Sequence, residues 1–450
     1  MFEWRFHARM ACFVVGASLL CGLLFGTCGI EAEEEPRSTD DPSSTTATPP
    51  ANDEAAKSDD AKDASQDEPK FWGDLWIESL GEPFYAFEKR HGVDVDLRYT
   101  GQTFKNTHGG LRSGPLRYRN GTDLVITLDT AKHDLWEGGK FYVYGFTVHG
   151  KSLTPREIGD YQFYSNFESF PKRDDVTQIG EWWYQHTWAD GALVTKIGQQ
   201  DGNVDFAKGS IAHEFINSAF NTIAPTPVPT WPLQTFGVFA AWTAENKSQV
   251  KFGVYDGRNV GAHYFLPTVN DRGTVFAISE LVCPMEFGDD KLPGAWRIGG
   301  WYHTGEYNEI TTGTSRILKG NAGVYVEAEQ LLWRENSDEG DEQGLSAFVQ
   351  YGWAPGDRNP PEHNYAGGLI YHGLLPQRDR DALGLGWSTL LFGRPTRQVD
   401  GQTFETAVEL FYRAVLSDHV SLQPEVQYIA NPGGDGRDAL AVGLQFILVL

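Results

Sequence analysis

Apolar and polar residues alternate with a period of two along most of this chain. Near the C-terminus, SLQPEVQYIANPGG (Ser421 to Gly434) sets Gln423, Glu425 and Gln427 against Leu422, Pro424, Val426 and Tyr428 before an Asn-Pro-Gly-Gly turn. Val408, Leu410, Tyr412 and Ala414 alternate with Glu409, Phe411 and Arg413. Leu440, Val442, Leu444, Phe446 and Leu448 alternate with Ala441, Gly443, Gln445 and Ile447. Runs of this kind, read as β-strands, fall near 93–101, 122–130, 141–149, 178–188, 191–199, 235–243, 249–256 and 261–266. More lie near 273–282, 294–303, 323–333, 344–353, 365–373, 383–392, 405–416, 421–429 and 439–449. That makes seventeen, with 261–266 the weakest, and no repeat of solenoid or propeller period accompanies them.

The N-terminus is built differently. Arg5 and Arg9 precede an apolar run from Met10 to Phe25, the pattern of a signal peptide over residues 1–30. The run is shorter than the roughly 20 residues that a membrane-spanning helix needs. Residues 31–70 hold thirteen acids, four bases and almost no large apolar residue. Such a segment buries too little apolar surface to offset the entropy of ordering, so it is expected to be disordered. Residues 71–450 contain no linker-like stretch and are expected to form one domain.

Charge and cysteine content narrow the classes. A net charge of −24 excludes nucleic acid as a partner. Cys12, Cys21 and Cys28 lie in or beside the signal segment, which leaves Cys283 alone in the body and no disulfide framework. An exported all-β body of this kind is either a soluble β-protein or an outer-membrane barrel. Strands of about 9–11 residues, apolar on one face and polar on the other, suit a membrane barrel. A mean hydropathy of −0.40 is compatible with that, because the lumen-facing half of every strand is polar. Tyr142, Tyr144, Trp296, Tyr302, Trp353, Tyr371 and Trp387 sit at strand ends, where interfacial girdles would use them.

Five segments carry a family resemblance. QPEVQYIANPGG, GWYHTG (Gly300 to Gly305), TKIGQQD (Thr195 to Asp201) and FINSAF (Phe215 to Phe220) resemble parts of the OprB-type carbohydrate-selective porins. So does WGDLWIESLGEPFYAFEKRHGVDVDLRYTGQ near the start, and the resemblance runs in family order over about 71–450. It implies a transmembrane antiparallel β-barrel of about 16 strands, with a short helix before the first strand. It also implies passive diffusion of small sugars across the outer membrane, with outer-membrane lipid around a homotrimer or monomer, and no enzymatic activity or cofactor.

In such a barrel Leu422, Val426 and Tyr428 face lipid, while Gln423, Glu425 and Gln427 face the lumen. Pro424 deletes one ladder hydrogen bond, so a local irregularity is expected there. By the same phase the pore-lining candidates are Arg297, Trp301 and His303, then Tyr325, Glu327 and Glu329, then Glu409, Phe411 and Arg413. Adjacent guanidinium and carboxylate groups offer hydrogen bonds to hydroxyls without a single-sign field, and Trp301 offers a stacking surface. The plainer reading is that these residues pair with one another and keep the wall neutral. The 201–233 connection carries Phe206, Phe215, Phe220, Trp231 and four prolines, and is expected to fold inward as a constriction rather than cap the outside.

Two other functions are weighed against this. Glu327 and Glu329 share a strand face, and paired carboxylates serve glycoside hydrolases, but those pairs come from different strands. No HExxH, phosphate-cradling glycine loop or Gly-x-Ser-x-Gly elbow is present, and the histidines lack metal-ligand spacing. A soluble, secreted carbohydrate-binding β-protein is the second alternative.

Overall fold

A computed structural model describes residue 88 and residues 92–169, 174–257, 273–336 and 343–450. The signal segment, the acidic segment and the 261–266 run lie outside the described residues, as does all but Glu88 of the expected N-terminal helix.

The sixteen remaining runs are sixteen strands. They begin with β1 (Val93–Gly109), β2 (Arg117–Asp129), β3 (Gly139–Gly150) and β4 (Val176–Trp188). Next come β5 (Leu193–Gln200), β6 (Thr235–Thr243), β7 (Gln249–Asp256) and β8 (Val275–Phe287). β9 (Leu292–Asn308), β10 (Ile317–Arg334), β11 (Gly344–Trp353) and β12 (Pro361–His372) follow. The set ends with β13 (Ala382–Phe392), β14 (Phe404–Val415), β15 (Val420–Ala430) and β16 (Ala439–Val449). Each strand pairs antiparallel with its sequence neighbours, and β1 pairs with β16, so the sheet closes on itself. Closure removes the two unpaired edges that an open sheet would leave, which is what a hydrocarbon surround requires.

The alternation seen in the sequence maps onto the two faces of the wall. On β14 Leu410 is 47% exposed to the outside, whereas its neighbour Glu409 is 0% exposed within. On β15 Val426 and Tyr428 point out, and Gln423, Glu425 and Gln427 are buried inside. The β14–β15 ladder runs from Phe411/Glu425 to Ala414/Leu422 and skips the two positions between, opposite Pro424 and Gln423. The β15–β16 register passes through Pro424/Leu444 unbroken. The proline therefore interrupts the ladder on one side only, as its missing N–H dictates.

Connections alternate in length. Tight turns at 189–192, 244–248, 288–291 and 416–419 join strands at one end of the barrel. The other end carries the long connections 151–175, described except for 170–173, and 201–234. The buried apolar clusters lie inside the wall, where strand side chains meet these connections.

Candidate functional site

The 201–234 connection folds into the lumen and is held there by carboxylates of the wall. Glu280 of β8 accepts the N–H of Ala207 at 2.8 Å. Glu409 of β14 accepts those of Ile216 and Asn217, both at 2.8 Å. Glu329 of β10 accepts the Ser210 hydroxyl at 3.1 Å. The 151–175 connection is held in the same way, with Glu405 accepting the N–H groups of Tyr161 at 2.6 Å and Gln162 at 2.8 Å. Backbone donors removed from water must find acceptors, and an inward carboxylate satisfies two at once.

Apolar packing decides which wall the 201–234 connection covers. Phe206 meets Phe239 of β6 edge-on at 5.5 Å and shares a buried cluster with Tyr255, Phe276, Trp301 and Tyr325. Phe215 lies 5.1 Å from Phe411 and 5.7 Å from Phe348, with Phe220 beside it. The connection thus covers the lumen face from β6 round to β13, and reaches β14 at Phe411 and β15 at Gln427, which accepts from Asn217 at 3.0 Å.

What stays open is a cavity of about 670 Å³ along β14–β16 and β1–β4. Its wall side includes Arg98, Gln102, Asp123, Tyr142, Glu181, Arg413, Gln423 and Gln445, and its loop side Lys208, His213, Glu214 and Trp231. Arg98 and Asp123 are direct cross-strand partners. Glu214 reaches from the loop to Arg413 at 2.7 Å and to His372 at 3.0 Å. Burial pushes the Glu214 carboxyl up, but His372 and Arg413 together hold it below its ordinary value. Burial, then the nearby Lys208 charge, push His213 down to about 3, so its ring is neutral at physiological pH. Opposite charges line the space in nearly equal number, beside aromatic faces and amides. Such a surface can exchange hydrogen bonds with an uncharged polyol and carries no strong single-sign field to select ions.

The residues singled out from the sequence do point inward, but most lie behind the loop. Arg413 lines the cavity. Arg297 spans Glu327 at 3.3 Å and Glu329 at 2.8 Å, and this trio sits against the loop. A Cβ on Gly209 would lie 2.0 Å from a Glu327 oxygen, so only glycine allows the loop to approach so closely. Glu409 is occupied by Ile216 and Asn217. His303 accepts the Gly305 N–H at Nδ1, 3.0 Å away, and so donates from Nε2 to the Gly257 carbonyl at 2.5 Å. Trp301 is 0% exposed, 6.1 Å from Phe276 in the buried cluster that includes Phe206, so its indole presents no stacking surface to the cavity. The expectation of an open Trp301 platform is corrected by that burial. Arg98, Asp123 and Glu181 are wall residues that the sequence reading did not pick out, and Tyr142 and Tyr144, expected in an interfacial girdle, instead line the cavity, where Tyr144 donates to Asp123 at 2.6 Å. Strand parity would have placed them inward, though not on the open side.

Comparison with known proteins places this geometry. Residues 114–449 match the family described as "Carbohydrate-selective porin, OprB family". Porin B of Pseudomonas aeruginosa is 25% identical over 401 residues, covering 79% of this chain and 87% of Porin B. A putative porin QuiX of Acinetobacter baylyi is 22% identical over 398 residues, covering 80% of this chain and 90% of that protein. A high-pH structure of Pseudomonas putida OprB superposes with a TM-score of 0.74 at 21% identity, covering 83% of this chain and 97% of that one.

Proposed function

The chain belongs to the OprB family of carbohydrate-selective porins, and from that premise we propose that sugars cross along the β14–β16 and β1–β4 side of the lumen. The protein is an outer-membrane β-barrel channel through which small sugars diffuse passively. The observation that carries the proposed route is the one-sided seating of the 201–234 connection, which leaves the cavity of about 670 Å³ on that side. Weak successive contacts along such a route favour entry without trapping, as diffusive transport requires.

On this reading Arg413 contacts the sugar, whereas Arg297, Glu327, Glu329 and Glu409 hold the loop that sets the bore. Trp301 and His303 support that loop and the adjoining wall. The channel is non-enzymatic, and its immediate partners are small neutral sugars and outer-membrane lipid, with the barrel acting as a monomer or homotrimer. Residues 71–450 are taken as the pore domain, after a signal peptide (1–30) and an acidic segment (31–70) that the pore does not need.

Liposome swelling with a panel of mono- and disaccharides tests the function directly. Monosaccharides should enter faster than disaccharides, and Arg413→Ala should slow glucose several-fold relative to potassium chloride. Equal entry of sugars and similarly sized solutes without hydroxyls would sink the carbohydrate selectivity. Deleting residues 36–68 should leave heat-modifiable migration and sugar flux intact, and a loss of folding would show that the segment is structural.

A further inference from the structure

One row of the open wall is chemically distinct. Gln102 of β1 faces Gln445 of β16, and Gln445 faces Gln423 of β15, so three primary amides stand side by side across three adjacent strands. All three line the cavity. Gln102 donates to the Gln445 oxygen at 2.8 Å and receives the Ser165 hydroxyl at 2.7 Å. Gln423 donates to the Glu214 carbonyl at 3.4 Å. Among the described residues the Gln445 amide nitrogen has no protein acceptor, and Gln445 is only partly buried.

Charge is quenched at both ends of the row. Beyond Gln423 lies Arg413, paired with Glu214 at 2.7 Å. Beyond Gln102 lies its cross-strand partner Arg119, which is buried and paired with Glu168 at 3.5 Å. The strip between these two ion pairs is therefore neutral and carries both donors and acceptors. One lumen position nearer the turn end, Thr100 pairs with Ile447, which adds an apolar surface beneath the amides.

We propose that Gln102, Gln445 and Gln423 form an amide ladder that reads the hydroxyl pattern of a neutral monosaccharide. The inference rests on the carbohydrate-porin reading and deepens it. Adjacent strands stand about 4.7–4.9 Å apart, a spacing comparable with that of hydroxyls on alternate carbons of a pyranose ring. Gln445, the most open of the three, can give to one hydroxyl and accept from another, while Gln102 and Gln423, 4% and 3% exposed, hold it and offer their remaining cavity-side positions, and the Ile447 side chain can meet the ring carbons. An anionic sugar gains no counter-charge here, because both flanking arginines are already paired. The ladder therefore favours a neutral hexose over its aldonic acid, and over a neutral solute whose only hydroxyls are terminal.

Swelling of liposomes carrying the full-length protein tests this with glucose, gluconate and triethylene glycol, alongside salt conductance in planar bilayers. Gln445→Leu should reduce glucose entry about fivefold, the equivalent of one hydrogen bond of about 1 kcal/mol. Triethylene glycol entry and salt conductance should change by less than about a factor of two. Gln445→Glu should slow gluconate further while glucose retains most of its rate. Heat-modifiable migration confirms a folded barrel, and Gln423→Leu gives a second test should Gln445 variants fail to fold. A wild-type pore that admits no glucose would overturn the porin reading itself. A wild-type pore that admits glucose, with Gln445→Leu and Gln423→Leu unchanged or slowing all three solutes alike, would overturn the ladder alone.

Discussion

The carboxylate of Glu409 on β14 accepts the backbone N–H of Asn217 at 2.8 Å, and its other oxygen takes that of Ile216. A wall residue thus fixes two consecutive peptide units of the constriction from across the lumen. Leaving buried donors unsatisfied costs about 1–3 kcal/mol each. Glu409→Ala should accordingly lower barrel stability by about 2–6 kcal/mol and loosen the 201–234 connection. Single-channel recordings should show higher, noisier salt conductance with weaker discrimination between mono- and disaccharides. Unaltered conductance and unaltered selectivity would mean that apolar packing alone holds the loop.

The orientation of the wall gives a second test. Leu410 faces outward, whereas Gln445 faces the cavity. Leu410→Arg should destabilise the folded barrel by roughly 2–4 kcal/mol near mid-membrane, while Gln445→Arg should be close to neutral for folding. Urea unfolding in lipid vesicles measures both. If Gln445→Arg were the more damaging, the inside and outside of the wall would be exchanged.

Trp301 supplies a third. Its 0% exposure, with the indole against the Phe206 cluster, makes it a packing residue. Removing a buried tryptophan side chain costs about 3–5 kcal/mol. Trp301→Ala should therefore lower the heat-denaturation temperature and widen the bore. The ratio of glucose flux to that of a same-sized polyol should hold or drift toward unity. A selective loss of glucose with stability intact would return Trp301 to the sugar path.

Strand parity was enough to find sixteen strands and to say which side chains of Glu409, Glu327 and Arg297 point inward, because side-chain direction in a strand is local. It could not say which inward residues remain reachable. That depends on where Phe206 and Phe215 settle after 201–234 enters the lumen, and both make contacts with residues more than thirty positions away in sequence. A two-residue beat holds no information about such packing. The Glu327–Glu329 pair was legible as chemistry, and Arg297 as its neighbour. Only the seating of Gly209 against Glu327 turns the trio from pore lining into loop support.

Asp160 marks where pH should act on the second inward connection. Among the described residues its two buried carboxylate oxygens meet no cation, and the Thr154 hydroxyl only partly offsets their burial. Burial, then the charge of nearby Glu405, push its carboxyl up from 3.8 to about 8. A carboxyl raised in the folded state binds its proton more tightly there than in the unfolded chain. Its effect on stability is therefore absent below the unfolded value and becomes increasingly unfavourable as pH rises from 3.8 toward about 8. Asp160→Asn carries no titrating proton, so it should flatten the fall in stability across that window and raise the unfolding temperature most at its upper end. Thermal unfolding in detergent between pH 5 and pH 8 measures this for wild type and variant. Parallel curves would show that Asp160 is already charged when folded and that the 151–175 connection opens to hydrate it.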